Sequence, residues 1–240
     1  LNGIAAMQSN DGSFLTAFPP ASPSSNLDYF PGEALLALAK QYVLTNNPKW
    51  REICDKAFPY YRTYYRKLRP PAFIPWHVQA WGHLARATHK QEYADFVYEM
   101  SDDLAKTQLL TPNSQVPIYR GGFDVYQSGR TGIASAVYLE GFNDALRTAE
   151  ALGDKRRTER YRRIVTEAAR FVMQLQFREE ECYYVLAPRE VIGALRNTPF
   201  DPSLRIDHAQ HALAAMLGAS DYFSPSNLPI EKRSNQTGKD

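Results

Sequence analysis

Apolar residues recur at helical spacing along almost the whole chain, in two alternating manners. Segments over Glu33–Ala39, Trp76–Ala87, Gly132–Leu152 and Ile206–Leu217 are apolar on most sides and rich in small residues, the pattern of a buried helix. Pro31 and Pro75 stand at the starts of the first two, where a missing N–H costs nothing. Between them, Lys49–Lys67, Gln91–Thr107 and Arg156–Gln176 carry apolar residues at i, i+3 and i+4. In the last of these, Tyr161, Ile164, Val165, Ala168, Phe171 and Val172 share one face, opposite Arg157, Arg160, Arg163 and Glu167. Such segments are amphipathic outer helices. The pattern predicts an all-α fold of inner–outer hairpins, with Cys182–Leu186 as the one short strand candidate.

The connections are asymmetric. Turns from inner to outer segments are short, at Thr45–Pro48, Thr88–Lys90 and Gly153–Lys155. Connections from outer to inner segments are long and rich in Pro, Gly, Ser and aromatics: Gly12–Phe30, Arg69–Ile74, Leu109–Arg130 and Phe177–Arg205. All four emerge at the N-terminal ends of the inner helices, and long structured loops gathered on one face are where function concentrates. Inner segments start near positions 31, 75, 131 and 206, so the repeat is degenerate and its loops lengthen along the chain. The expected organisation is one helical-hairpin domain over 1–220 and a polar arm over 221–240.

Composition narrows the function classes. The 240 residues hold 28 Lys+Arg against 26 Asp+Glu, a net charge of +2, which argues against a nucleic-acid partner. The basic run Lys155–Arg163 is interspersed with Glu159 and followed by Glu167, the pattern of a solvated helix face. No apolar run approaches the ~20 residues a membrane span needs, and no secretory leader opens the chain, so a cytoplasmic location is expected. Two cysteines, Cys54 and Cys182, make no disulfide framework. The aromatic load, 15 Tyr and 12 Phe without a basic excess, suits helix packing first and an aromatic-lined pocket second.

Near the start stands Gln8-Ser9-Asn10-Asp11-Gly12-Ser13-Phe14. It resembles the Gln-x-x-x-Gly-x-aromatic repeat of terpenoid cyclase and prenyltransferase toroids. Gly121-Gly122-Phe123 and Gly193-Ala194-Leu195 look like worn copies before the third and fourth inner helices. The stretch Asp28–Leu38 resembles the inner-helix start of bacterial α/α-toroid proteins of the six-hairpin glycosidase and epimerase type. The resemblance implies an α/α toroid, partial or open. A closed ring of six hairpins needs twelve helices, and three hairpins plus a fourth inner helix fit here. Residues 1–8 look like the end of an outer helix, so upstream hairpins or a further domain are expected. The catalytic marks of the terpenoid families are missing: there is no Asp-x-Asp-Asp element, and the cysteines lack zinc-ligand spacing.

Polar residues in the first turns of the inner helices are the site candidates. Glu33 either complements the helix dipole or acts as a general acid or base. His77, between Trp76 and Trp81, is either a packed histidine or a catalytic one at the rim of a sugar pocket. His208 and His211 lie at i and i+3, a spacing that suits a metal only with a third ligand from elsewhere, and no metal or cofactor is assigned. Asp207 either pairs with Arg205 as a cap-region acid or faces Glu33 as a second catalytic carboxylate. Glu140 and Asp144, at i and i+4 in an apolar context, require partners, and Arg147 is placed to neutralise Asp144. The resulting assignment has Glu33, Asp207, His77 and His208 catalytic. Tyr29, Trp76, Tyr126, Arg130, Arg205 and His211 bind substrate.

The expected function is a carbohydrate-active enzyme acting on a saccharide or other small molecule. A terpenoid-type enzyme and a non-catalytic binding module are the alternatives. A glycosidase needs two carboxylates flanking one bond, a terpenoid enzyme a deep aromatic cavity.

Overall fold

The chain is described here from a computed structural model covering residues 1–17, 26–110 and 116–223. Nine α-helices form among these residues: α1 (Asn2–Ala6), α2 (Phe30–Thr45), α3 (Pro48–Leu68), α4 (Ile74–Thr88), α5 (Gln91–Ala105), α6 (Ala134–Ala151), α7 (Lys155–Gln174), α8 (Pro188–Val191) and α9 (Ile206–Ala219). There is no regular strand among them, and the Cys182–Leu186 candidate is turn and bend. Most of the arm expected over 221–240 lies outside the described residues, as do parts of the first and third long loops.

Helices α2, α4, α6 and α9 pack in that order into an inner row. Helix α3 pairs with α2, α5 with α4 and α7 with α6; α5 also leans on α6, and α7 on α9. Helices α4 and α6, flanked on both sides, are buried nearly all round. Helices α2 and α9 end the row and bury only part of their surface. Close approach is built in at Gly32, where a Cβ would stand 2.8 Å from the Cβ of Trp76.

The short turns work as the sequence predicts. Asn46 and His89 end α2 and α4 in the left-handed conformation. The side chains of Asn47 and Asp154 accept the Lys49 and Arg157 amides, each at 3.0 Å, and so cap α3 and α7. The outer row is laced by ion pairs: Arg66 with Glu99, Lys90 with Asp55, and Arg157 and Arg160 with Asp102. Arg162 and Arg163 pair with Glu150 and Glu159, so much of the basic run is engaged with nearby acids.

The glutamine–glycine motif is a clasp, and it occurs three times. Gln8, Gln108 and Gln176 form isolated bridges with Phe14, Phe123 and Leu195. In the first copy the Gln8 amide donates to Gly12 O (3.3 Å) and to Ile53 O of α3 (2.8 Å). In the second, Gln108 donates to Gly121 O and to Ile164 O of α7, both at 3.0 Å. Gly12 and Gly121 have φ of +91° and +93° and press on the carbonyls of Lys56 and Glu167. A Cβ there would stand 2.2 and 2.1 Å from those oxygens, so only glycine fits. The first and third long loops are thereby pinned to the outer helices of the hairpins that follow them, while Gln176 closes the fourth only on its own glycine, at 3.0 Å.

Gly121→Ala combines a left-handed strain with a clash against backbone and is expected to cost at least about 2 kcal/mol in chemical denaturation. Gly193→Ala meets only the Gln176 amide, at 3.9 Å, an ordinary contact, and carries only the conformational cost of about 1 kcal/mol. Equal losses at the two positions would refute the clasp.

Candidate functional site

The N-terminal ends of α4, α6 and α9, with the loops before them, enclose a cleft of about 640 Å³. Tyr29, just before α2, stands on one wall with Trp76 of α4, their rings edge to face with centroids 5.6 Å apart. The ring of His211 lies edge-on to Trp76 at 6.1 Å. Arg205, Asp207 and His208 line the α9 side, and Tyr126, Arg130 and Tyr138 the side formed by α6 and its loop. Buried Asp124 shapes that loop: its carboxylate accepts from the amides of Ser128 (2.9 Å) and Gly129 (2.7 Å), which sets Arg130 at the rim. Among the described residues no acid pairs with the Arg130 guanidinium.

The polar centre is His211. Its Nδ1 lies 2.7 Å from Glu140 Oε1 on α6, and both side chains are largely buried. A carboxylate accepts, so Nδ1 is the donor in this contact, and Nε2 is the ring nitrogen outside it. The hydrogen bond from Glu140 raises the His211 pKa; burial opposes it, and the charges of Glu140, Asp207 and Glu33 reinforce it. Three carboxylates thus act on one imidazole. Asp207 is also held by Arg205 in a two-pronged pair at 2.9 and 2.7 Å, which keeps its carboxyl below the ordinary range. His208 is buried, its Nδ1 is without a partner, and burial pushes its pKa down.

Tyr29, Trp76, Tyr126, Arg130, Arg205, Asp207, His208 and His211, singled out from the sequence, therefore meet in one cleft. Glu33 stands exposed in the first turn of α2 and reaches the centre through its charge on His211. His77 is placed elsewhere. It is fully buried, stacked on Phe73 at 3.5 Å, and its Nδ1 accepts from Trp81 Nε1 at 3.2 Å. Burial alone drives its pKa well down, so it is a neutral core residue. Two further residues differ from expectation. Asp144 pairs with Arg86 at 2.7 Å, while Arg147 donates to Gly218 O. Glu140 does not itself line the cleft but holds His211, which does, and its signal in the sequence is a carboxylate on an otherwise apolar helix. Among the described residues no group of three His, Cys, Asp or Glu is disposed to hold a metal ion, and no helix is long and apolar enough to cross a membrane. Compared with protein families, curated proteins and solved structures, the chain matches none.

The histidines pull stability in opposite directions with pH. His211, with a raised pKa, contributes stability that is full below the ordinary imidazole value near 6.5 and is lost as pH rises through its own pKa. His77 and His208, with lowered values, contribute stability that is full above about 6.5 and is lost as pH falls. In an NMR titration His211 is expected to protonate at higher pH than His208, and Glu140→Gln to move the His211 midpoint downward. An unmoved midpoint would remove the Glu140 pairing.

Proposed function

We propose that this protein is a carbohydrate-active enzyme whose chemistry is acid–base transfer by His211, oriented by Glu140. The hairpin array is the arc of an α/α toroid in this reading, with the substrate bound at the inner-helix N-termini. The observation that carries it is the 2.7 Å contact between Nδ1 of His211 and Glu140 on the wall of an aromatic-lined cleft. A carboxylate that fixes one nitrogen leaves the other to take or give a proton. Trp76 and Tyr29 offer apolar ring surface for the C–H face of a sugar. Arg130 offers a guanidinium to its oxygens or to a carboxylate.

Proton transfer at carbon, as in an epimerase or lyase, fits this centre better than two-carboxylate hydrolysis. Hydrolysis needs one carboxyl kept protonated by a raised pKa. Asp207 is held in the opposite sense by Arg205. Glu33 and Asp207 in this reading set the potential at His211 rather than flank a scissile bond.

The test is a panel of neutral and uronate oligosaccharides incubated in deuterium oxide. Solvent deuterium entering a ring carbon, or an unsaturated product, is the expected readout. His211→Gln is expected to lower kcat/KM by about 10²–10⁴-fold. Trp76→Ala is expected to weaken binding about tenfold, ~1.4 kcal/mol. No turnover or binding of any saccharide, or full activity in His211→Gln, would overturn the reading.

A further inference from the structure

Among the described residues, the charges on the cleft wall are compensated with one exception. Arg205 and Asp207 hold each other in their two-pronged pair. Asp124 has both oxygens turned to its own loop. Its Oδ1 accepts from the amide and the hydroxyl of Ser128, at 2.9 and 3.0 Å, and its Oδ2 from the Gly129 amide at 2.7 Å. The exception is Arg130, which lines the cleft while its guanidinium pairs with no acid. The turn that presents it is fastened on both sides. Ser128 Oγ accepts from the Arg130 amide at 3.2 Å, and Thr131 Oγ1 donates to Phe123 O at 2.7 Å.

A second unpartnered group stands on the same side. Tyr138, near the start of α6, is only 6% exposed, and its ring packs edge to face on Phe123 with centroids 5.7 Å apart. The four fully buried tyrosines all engage their hydroxyls: Tyr61 accepts the Phe14 amide, while Tyr65, Tyr93 and Tyr161 donate to Asp103, Asp55 and Asp102. The Tyr138 hydroxyl has no such partner among the described residues, and it is not sealed in; it opens on the cleft. Its partner therefore comes from the contents of the cleft. Burial pushes the Tyr138 pKa up, so at neutral pH the group stays a phenol and keeps a proton to donate.

We propose that Arg130 and Tyr138 form a carboxylate subsite, so that the saccharide taken by the cleft is an acidic one; the second half rests on the carbohydrate reading. A guanidinium only donates, through a planar fork that matches the two oxygens of a carboxylate. A sugar hydroxyl brings a proton that a guanidinium cannot take. One cation and one neutral donor balance a single negative charge, whereas a phosphate monoester brings close to two at pH 7.

The acid end of the sugar thus lies on the α6 side, and Trp76 and Tyr29 on the other wall are left for the apolar face of the ring. The carboxylate belongs either to the ring, as in a uronate, or to an ether substituent, as in a lactyl ether. Arg130 and Tyr138 hold both by the same chemistry.

The test is calorimetric titration of the whole chain with D-glucuronate, D-galacturonate and D-mannuronate trisaccharides, each beside its carboxyl-reduced counterpart. N-acetylmuramate beside N-acetylglucosamine supplies an acid outside the ring. At least one acid is expected to bind about tenfold tighter than its neutral counterpart, a preference that shrinks as salt rises. Arg130→Gln is expected to abolish the preference and Tyr138→Phe to cut it about threefold, both leaving the neutral sugar within about twofold. Tightest binding of a uronate places the acid on the ring, and of N-acetylmuramate on the substituent. Equal binding of acid and neutral sugars, or a preference that survives Arg130→Gln, would overturn the subsite and leave the carbohydrate reading standing. Arg130-dependent binding of succinate by a chain that takes none of the sugars would do the reverse. Binding of none of these compounds would overturn both.

Discussion

The fold depends on a glycine with a left-handed backbone pressed against a helix carbonyl, with a glutamine amide bridging the two. At Gly12 and Gly121 the approach leaves no room for a side chain, and the amides of Gln8 and Gln108 each satisfy one loop carbonyl and one helix carbonyl. Long loops otherwise carry a large ordering entropy and many backbone groups in need of partners. Fastened to the outer helices at these points, the loops return to the inner row in fixed register. The cleft exists because its walls are anchored away from it.

Inside that frame, burial decides which charges survive. Glu140 and Asp144 are one turn apart on α6, and an isolated buried carboxylate is costly. Each takes its own cation or donor from a different neighbour, Asp144 from Arg86 on α4 and Glu140 from His211 on α9. The first pair ties two inner helices together. The second does the same and, because its partner is an imidazole with a free nitrogen, also creates a chemical group on the cleft wall. On the proposed reading, structural and functional use of buried charge differ here only in the identity of the partner.

The placement of the cleft was legible from loop lengths, since long connections at one end of a hairpin array must share a face. Tyr29, Trp76, Arg205 and His211 followed from that alone. His77 did not, although it adjoins Trp76. One step along a helix turns about 100°, so Trp76 on the cleft puts His77 in the core among Tyr61, Phe73 and Trp81. The two later clasps were visible as glycines but not as glutamines. Gln108 and Gln176 precede their glycines by 13 and 17 residues, where Gln8 precedes Gly12 by 4, and local spacing hides a bond closed across an insertion.

The sequence by itself determined the all-helical class, the alternation of buried and amphipathic helices, the short turns between them, and the end at which the loops gather. These follow from periodicity and local backbone preference, which act within a few residues. Only the tertiary structure decided the pairings: Glu140 with His211 across 71 residues, Asp144 with Arg86 rather than Arg147, and Gln108 with α7. A helix face offers several partners at similar local cost, and the choice among them falls to whichever helix the packing of the inner row brings alongside.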